Sequence, residues 1–186
     1  MDKYDAFIDR AEAEATLRPH VHEVPDFPKP GVNFKDVMPL LRDTRAREYA
    51  LMHMRKYVES RSPDAIVGVE SRGYVFAAPL AHIIKIPLVL ARKPGKLPDK
   101  VVGVEYAIEY GKGRLEMQRD SISAGINALV IDDVLATGGT AKAAASLVES
   151  LGGKIAGFCF FAELDFLNGR KMLDGYDVFS LLHYGH

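Results

Sequence analysis

Cysteine is nearly absent: one residue in 186, so no disulfide can form within the chain. Cys159 lies in the apolar run Gly157-Phe158-Cys159-Phe160-Phe161-Ala162 and reads as a small buried hydrophobe. A reducing, cytosolic setting is the expectation that follows. Net charge is equally scarce. The 24 basic and 25 acidic residues leave −1, without the broad positive field of non-specific nucleic-acid or membrane-surface binders. No apolar run is long enough to cross a bilayer. The greasiest stretch, from Tyr74 to Ala91, is broken by Pro79, His82, Lys85 and Pro87, whereas a spanning helix needs about 20 mostly apolar residues. Charges at Asp2, Lys3, Asp5, Asp9 and Arg10 leave no signal-peptide core near the start. Neither G-x-x-x-x-G-K-[ST] nor G-x-G-x-x-G occurs, which takes most of the weight from P-loop and dinucleotide readings, and the histidines show no metal-ligand spacing such as H-E-x-x-H. Internal repeats and low-complexity tracts are missing too.

What is present is ordinary for a soluble globular protein: 48% hydrophobic and 26% charged residues. A chain of this length makes one compact unit, residues 1–186, and buries about 70% of its unfolded surface without staples. Residues 2–17 read as an amphipathic helix with Phe7, Ile8, Ala11, Ala15 and Leu17 on one side. The run Pro25-Asp26-Phe27-Pro28-Lys29-Pro30-Gly31 cannot continue a helix or central strand, so a rigid extended loop is expected through Asp36. Phe34 in it reads as core. Helices are expected over 44–59, 74–84 and 140–151, with continuous apolar strands at 64–69, 87–91, 127–132, 155–164 and 178–182. This β-α-β-α-β series predicts an α/β fold with a parallel sheet covered on both faces. Between Arg92 and Gln118 the rhythm fails. Pro94, Gly95, Pro98, Gly103, Gly111 and Gly113 punctuate a basic, partly alternating segment that suits an extended flap or hairpin.

In such sheets ligands bind beyond the carboxyl ends of the strands, which directs attention to the loops after Val69, Ala91 and Ile131. In the last of these an apolar strand runs into Asp132 and Asp133, followed by Ala136-Thr137-Gly138-Gly139-Thr140 at a helix start. Small residues let successive N–H groups, with the hydroxyls of Thr137 and Thr140, curl around one anionic group. The carboxylates can accept hydrogen bonds from ribose hydroxyls or from water on a divalent metal. Together these features describe a ribose 5-phosphate site.

The stretch Val130-Ile131-Asp132-Asp133-Val134-Leu135-Ala136-Thr137-Gly138-Gly139-Thr140 resembles the phosphoribosyl-pyrophosphate motif of the type I phosphoribosyltransferases. Phe27 to Asp36, Glu70-Ser71-Arg72-Gly73-Tyr74, Arg92 to Pro98 and Leu115-Glu116 narrow the resemblance to the adenine phosphoribosyltransferases. It covers nearly the whole chain after residue 24. The resemblance implies a parallel-sheet core, a small hood (with the first helix, residues 1–36) that holds the base, and a flexible flap (residues 92–118) over the site. The implied reaction joins adenine to phosphoribosyl pyrophosphate, giving AMP and pyrophosphate in purine salvage, with Mg²⁺ as cofactor and a cytoplasmic homodimer as the working form. No nucleic-acid or membrane partner is implied.

The resemblance also assigns roles. Asp132, Asp133, Ala136, Thr137, Gly138, Gly139 and Thr140 would take the ribose phosphate, with Mg²⁺ carried by substrate and water. Ser71, Arg72, Arg92, Lys93 and Lys96 would face pyrophosphate, where arginine offers a rigid fork of donors. Glu109 on the flap would exchange a proton with the purine, with Tyr110 beside it, as the lid excludes water. Val32, Asn33 and Lys35 would line the base. Here the sequence departs from the family, which more often has an aliphatic residue at the position of Asn33 and an arginine at that of Lys35. Rival readings are weaker. A hypoxanthine or guanine transferase fits neither the proline-rich segment nor the flap motif. A DNA-binding sensor lacks a helix-turn-helix or basic face, and a dead binding module would not need Glu109, Asp132 and Asp133 together.

Overall fold

The computed structural model describes residues 8–108 and 111–185. Its centre is a five-stranded parallel sheet in the order β4-β3-β7-β8-β9. These strands are β3 (Ala65–Val69), β4 (Leu88–Ala91), β7 (Asn127–Leu135), β8 (Lys154–Leu164) and β9 (Val178–Tyr184). They alternate with helices α2 (Thr44–Arg61), α3 (Tyr74–Ile84) and α4 (Gly139–Ser150), an α/β architecture as the apolar strands predicted. Every residue of β3 is buried. In β8, Phe158 and Phe160 fall on one face and Cys159 and Phe161 on the other, all buried. Successive strand side chains point to opposite faces, so both faces must be covered. Helices α2 and α3 cover one face, where Phe76 stacks on Phe161 with ring centres 5.3 Å apart. Helix α4 covers the other, with Ala144, Leu147 and Val148 packed near Phe158 and Phe160. Burial also pushes the Cys159 thiol upward.

Helix α2 starts where Asp43 accepts a hydrogen bond from the Ala46 N–H (2.9 Å) and ends at Ser62 in the left-handed conformation. The first helix, α1 (Arg10–Leu17), is capped in the same way by Asp9 and buries Ala13 and Leu17. The earlier part of the expected 2–17 helix lies largely outside the described residues. The proline-rich segment is only partly a loop. Its last residues form β2 (Phe34–Asp36), paired antiparallel with β1 (His22–Val24). Sequence reading missed this pairing because strands of three residues carry too little alternation to register. The irregular insertion contains a hairpin, β5 (Val101–Ile108) against β6 (Gly111–Gln118), as its partial alternation suggested.

The chain leaves β3 toward β4 on one side, while β7 lies on its other side. This reversal opens a crevice at the carboxyl ends of β3 and β7. Gly73 fits there because a Cβ would stand 2.6 Å from the Val69 carbonyl oxygen and 2.8 Å from that of Ile131. Only a glycine lets α3 begin so close to both strand ends.

Candidate active site

A cleft of about 1030 Å³ occupies that crevice, between the β1–β2 hairpin and the start of α4. Its walls bring together Val32, Asn33 and Lys35, then Ser71, Arg72 and Lys93, and the whole run from Asp132 to Thr140. Strand β7 continues to Leu135, so the two carboxylates stand on the strand rather than in the loop expected after Ile131. Asp132 is half-buried and Asp133 buried. Asp132 Oδ1 accepts from the Asp133 N–H at 2.8 Å. The carboxyl of Asp132 is held well above the ordinary carboxylate range, first by burial and then by the charge of Asp133. Burial also raises Asp133, against the opposing pull of Arg72.

The 136–140 turn follows directly. Gly138 has φ +84° and occupies the N-cap position of α4, with no side chain capping the helix. The first-turn amides of a helix have no acceptor within it, and here they border the cleft. A methyl at Gly138 would run into the Gly169 carbonyl and within 2.9 Å of Met172 Cβ. The turn is thereby pressed against the segment after β8.

Arg72 bridges the two ends. Its Nε lies 2.7 Å from Asp133 Oδ2, and its guanidinium stands 4.9 Å from the centre of the Phe34 ring. Asp133 Oδ2 nevertheless has no well-aligned hydrogen bond, so this is a charge contact and leaves an acceptor available. The Glu70–Ser71 peptide before Arg72 is cis. Phe34, expected in the core, is half-buried on the cleft wall with its ring edge-to-face to Phe27 at 5.2 Å. The reason is that β2 belongs to the small hairpin and not to the central sheet.

Arg92 and Lys96 are not among the residues lining the cleft. Arg92 Nε is 3.1 Å from Glu70 Oε2, and its Nη1 donates to the Lys96 carbonyl at 2.8 Å. Glu70 also accepts from the Lys93 N–H at 2.9 Å. Burial would raise the Glu70 carboxyl, but the Lys93 amide and the Arg92 guanidinium together bring it below its ordinary value. Glu109 and Tyr110 lie outside the described residues. Residues that sequence reading did not place in the site include Glu70, Tyr106, Phe160, Leu164, Phe166 and Leu167. Glu70 stood inside a quoted motif and Tyr106 within the 92–118 flap, both without an assigned role. Phe166 and Leu167 have no local signal, because the contact between Gly138 and Gly169 that sets their distance from the 136–140 turn is tertiary.

Two acidic groupings bear on a metal. Asp132 and Asp133 fit a hydrated divalent cation, since a positive charge would relieve the burial and mutual repulsion that oppose their ionisation. Glu163, Asp165 and His183 also place ligand atoms within 4.8 Å of one another. There, however, Arg170 Nε donates to both Glu163 oxygens at 2.8 and 2.9 Å, and Ser180 Oγ donates at 2.6 Å. Both Glu163 oxygens are already filled by these donors, whereas Asp133 Oδ2 has no hydrogen-bond partner, so the second group does not fit a cation as the first does.

Comparison with known proteins places the architecture in context. A family model described as a phosphoribosyl transferase domain matches residues 42–183. The adenine phosphoribosyltransferase of Acetivibrio thermocellus is 50% identical over 169 residues, covering 90% of this chain and 99% of that one. That of Thermoanaerobacter pseudethanolicus is 47% identical over 164 residues, covering 88% and 95%. The crystal structure of the Thermoanaerobacter enzyme superposes with a TM-score of 0.89 over 95% of this chain and 100% of that one, at 44% identity. The Saccharomyces cerevisiae enzyme, solved with adenine and an imino-altritol bisphosphate, gives 0.85 at 38% identity over 92% and 99%.

Proposed function

The chain belongs to the adenine phosphoribosyltransferases, and we propose that it transfers the 5-phosphoribosyl group of phosphoribosyl pyrophosphate to adenine, giving AMP and pyrophosphate. The observation that carries this reading is the continuous run from Asp132 to Thr140, which lines one cleft with the β1–β2 hairpin. The 136–140 turn, with its amides and threonine hydroxyls, takes the 5-phosphate. Asp132 and Asp133 accept hydrogen bonds from ribose hydroxyls or from metal-bound water. Ser71, Arg72 and Lys93 receive the pyrophosphate; Arg92 and Lys96 lie on the same loop after β4 but outside the cleft lining, and would join them only if that loop moves.

In the reaction the bond from the anomeric carbon to the pyrophosphate oxygen breaks as one from that carbon to a purine ring nitrogen forms. The sugar passes through an oxocarbenium-like state. Mg²⁺ bound with the substrate would supply positive charge toward the departing pyrophosphate. Glu109, between Ile108 and Gly111 in the sequence, exchanges the proton of the purine, with Tyr110 next to it in the chain and Tyr106 on β5. The flap closes to keep water from the reactive sugar.

The hairpin end acts as the hood and reads the base. The Val32 N–H is already taken by the Lys29 carbonyl at 3.3 Å, and its carbonyl accepts from the Phe27 N–H at 3.2 Å. Reading therefore falls chiefly to the Asn33 peptide groups. Adenine shows a donor at its amino group and an acceptor at N1, and backbone groups can match both. No helix among the described residues is long and apolar enough to cross a membrane. With a lone, buried Cys159, this supports a cytoplasmic enzyme, and we take the working form to be a homodimer. The test is to mix protein, Mg²⁺ and phosphoribosyl pyrophosphate with each purine separately. AMP from adenine is expected, and no nucleotide from adenine would refute the reading.

A further inference from the structure

The two base-lining positions that depart from the family pattern, Asn33 and Lys35, share one partner. Glu23 on β1 stands directly opposite Lys35 on β2. Its Oε1 lies 2.6 Å from Lys35 Nζ, and its Oε2 accepts from Asn33 Nδ2 at 2.7 Å. The two bonds use different oxygens, so they form together. Both hold the Glu23 carboxyl below its ordinary value, the lysine more strongly.

The three side chains differ sharply in exposure. Glu23 is 54% exposed, whereas the Lys35 side chain is 3% exposed and its ammonium sits 5.1 Å from the centre of the Tyr184 ring. An ion pair between two exposed groups contributes little. A buried ammonium is different, because removing its carboxylate leaves a desolvated charge beside an aromatic ring. Lys35 would then have to shift, and Phe34 and the Asn33 peptide are tied to it along the chain.

We infer that Glu23 is a positioning residue for the purine. It grips the side chains on either side of Phe34 and so fixes the direction of the peptide groups between them. The inference rests on the base-reading role proposed for this hairpin. Nothing about Glu23 touches the reacting atoms. Its effect should fall on adenine alone, because the sugar-phosphate end is held by β7 and α4.

The experiment is steady-state kinetics with each substrate varied in turn, on the wild type, Glu23→Ala, Glu23→Gln and Asn33→Ala. For Glu23→Ala, the KM for adenine should rise about tenfold, while kcat and the KM for phosphoribosyl pyrophosphate stay within about twofold. Asn33→Ala leaves the Glu23–Lys35 pair in place, so its rise in adenine KM should be smaller. Glu23→Gln keeps one acceptor oxygen and should fall between the wild type and Glu23→Ala. An adenine KM unchanged within about twofold in Glu23→Ala would overturn the inference. So would equal rises for both substrates, the mark of a residue that merely supports the fold. A wild type that makes AMP beside an indifferent Glu23→Ala sinks this inference alone, whereas a wild type that makes none removes the proposed reaction and this inference with it.

Discussion

At the sheet end of the cleft, Asp132, Asp133 and the 136–140 turn follow one another along the chain and rest on buried strands and the start of α4. At the hairpin end, Val32 and Asn33 lead into β2, which carries Lys35 on a small antiparallel pair, and an exposed glutamate holds two of the three side chains. The first end is a local device. Its geometry is dictated by a strand, a glycine with positive φ and a helix start, all within nine residues. The second is held by contacts between segments ten or more residues apart. A ligand group with fixed, strong charge can be gripped by the first, whereas the proposed task of the second is to discriminate between flat molecules that differ in one donor and one acceptor.

The largest loss is expected at the flap, which is proposed to serve both ends. Glu109→Gln should lower kcat by roughly 10² to 10⁴, the usual worth of a positioned proton donor or acceptor. A loss of only a few-fold in single-turnover measurements would mean that Glu109 takes no part in the chemistry. Next comes the sheet end itself. Asp132→Asn combined with Asp133→Asn should weaken binding of the Mg²⁺–phosphoribosyl pyrophosphate complex by about 10² or more, since bonds to charged groups contribute about 1.5–3 kcal/mol each. Calorimetric titration checks this, with circular dichroism confirming the fold. Wild-type affinity would remove the ribose assignment.

Two glycines sharpen the contrast in stability. Gly138 and Gly31 both have φ +84°, but a Cβ at Gly138 collides with the Gly169 carbonyl while one at Gly31 meets nothing within 4 Å. Both alanine variants carry the backbone cost, about 1 kcal/mol, and only Gly138→Ala adds a clash. Gly138→Ala should therefore lose more in Tm, where each kcal/mol amounts to about 2–4 °C for a chain of this size. Equal losses in thermal melts would show that the turn is not pressed against the segment after β8.

The smallest effect has the opposite sign. A carboxyl whose pKa is raised by folding binds its proton more tightly in the folded state, so stability falls as pH climbs from the ordinary carboxylate range through the raised value. Burial raises Asp132 in this way, with Asp133 adding to it. Asp132→Asn should stabilise the ligand-free protein near neutral pH by about 1 kcal/mol, with the gain vanishing below the ordinary carboxylate range. A gain that does not change with pH would contradict this origin.

The difference between the two ends also governs what could be read from the sequence. The parallel strands were legible because runs such as 127–132 and 155–164 are apolar on both faces, and the 136–140 turn because its small residues are contiguous. The β1–β2 pairing was not, since three-residue strands have no readable period. Phe34 was misplaced for the same reason. A lone aromatic in a short segment looks like core until its partner strand is known. Phe166 and Leu167 reach the cleft through tertiary packing alone. The grip of Glu23 on Asn33 and Lys35 was equally hidden, because it depends on a register that spans the proline-rich turn.

The most direct test of the account is the ratio of kcat/KM for adenine over hypoxanthine, measured in the wild type and in Asn33→Ala. Hypoxanthine inverts donor and acceptor along the edge that the Asn33 peptide is proposed to read, and each buried polar group left unpaired costs about 1–3 kcal/mol. Two mismatches should give a preference of roughly 10² to 10⁴. If the backbone is the reader, that preference should survive in Asn33→Ala even as binding weakens. Comparable efficiency on the two bases in the wild type, or a preference that collapses in Asn33→Ala, would contradict the account.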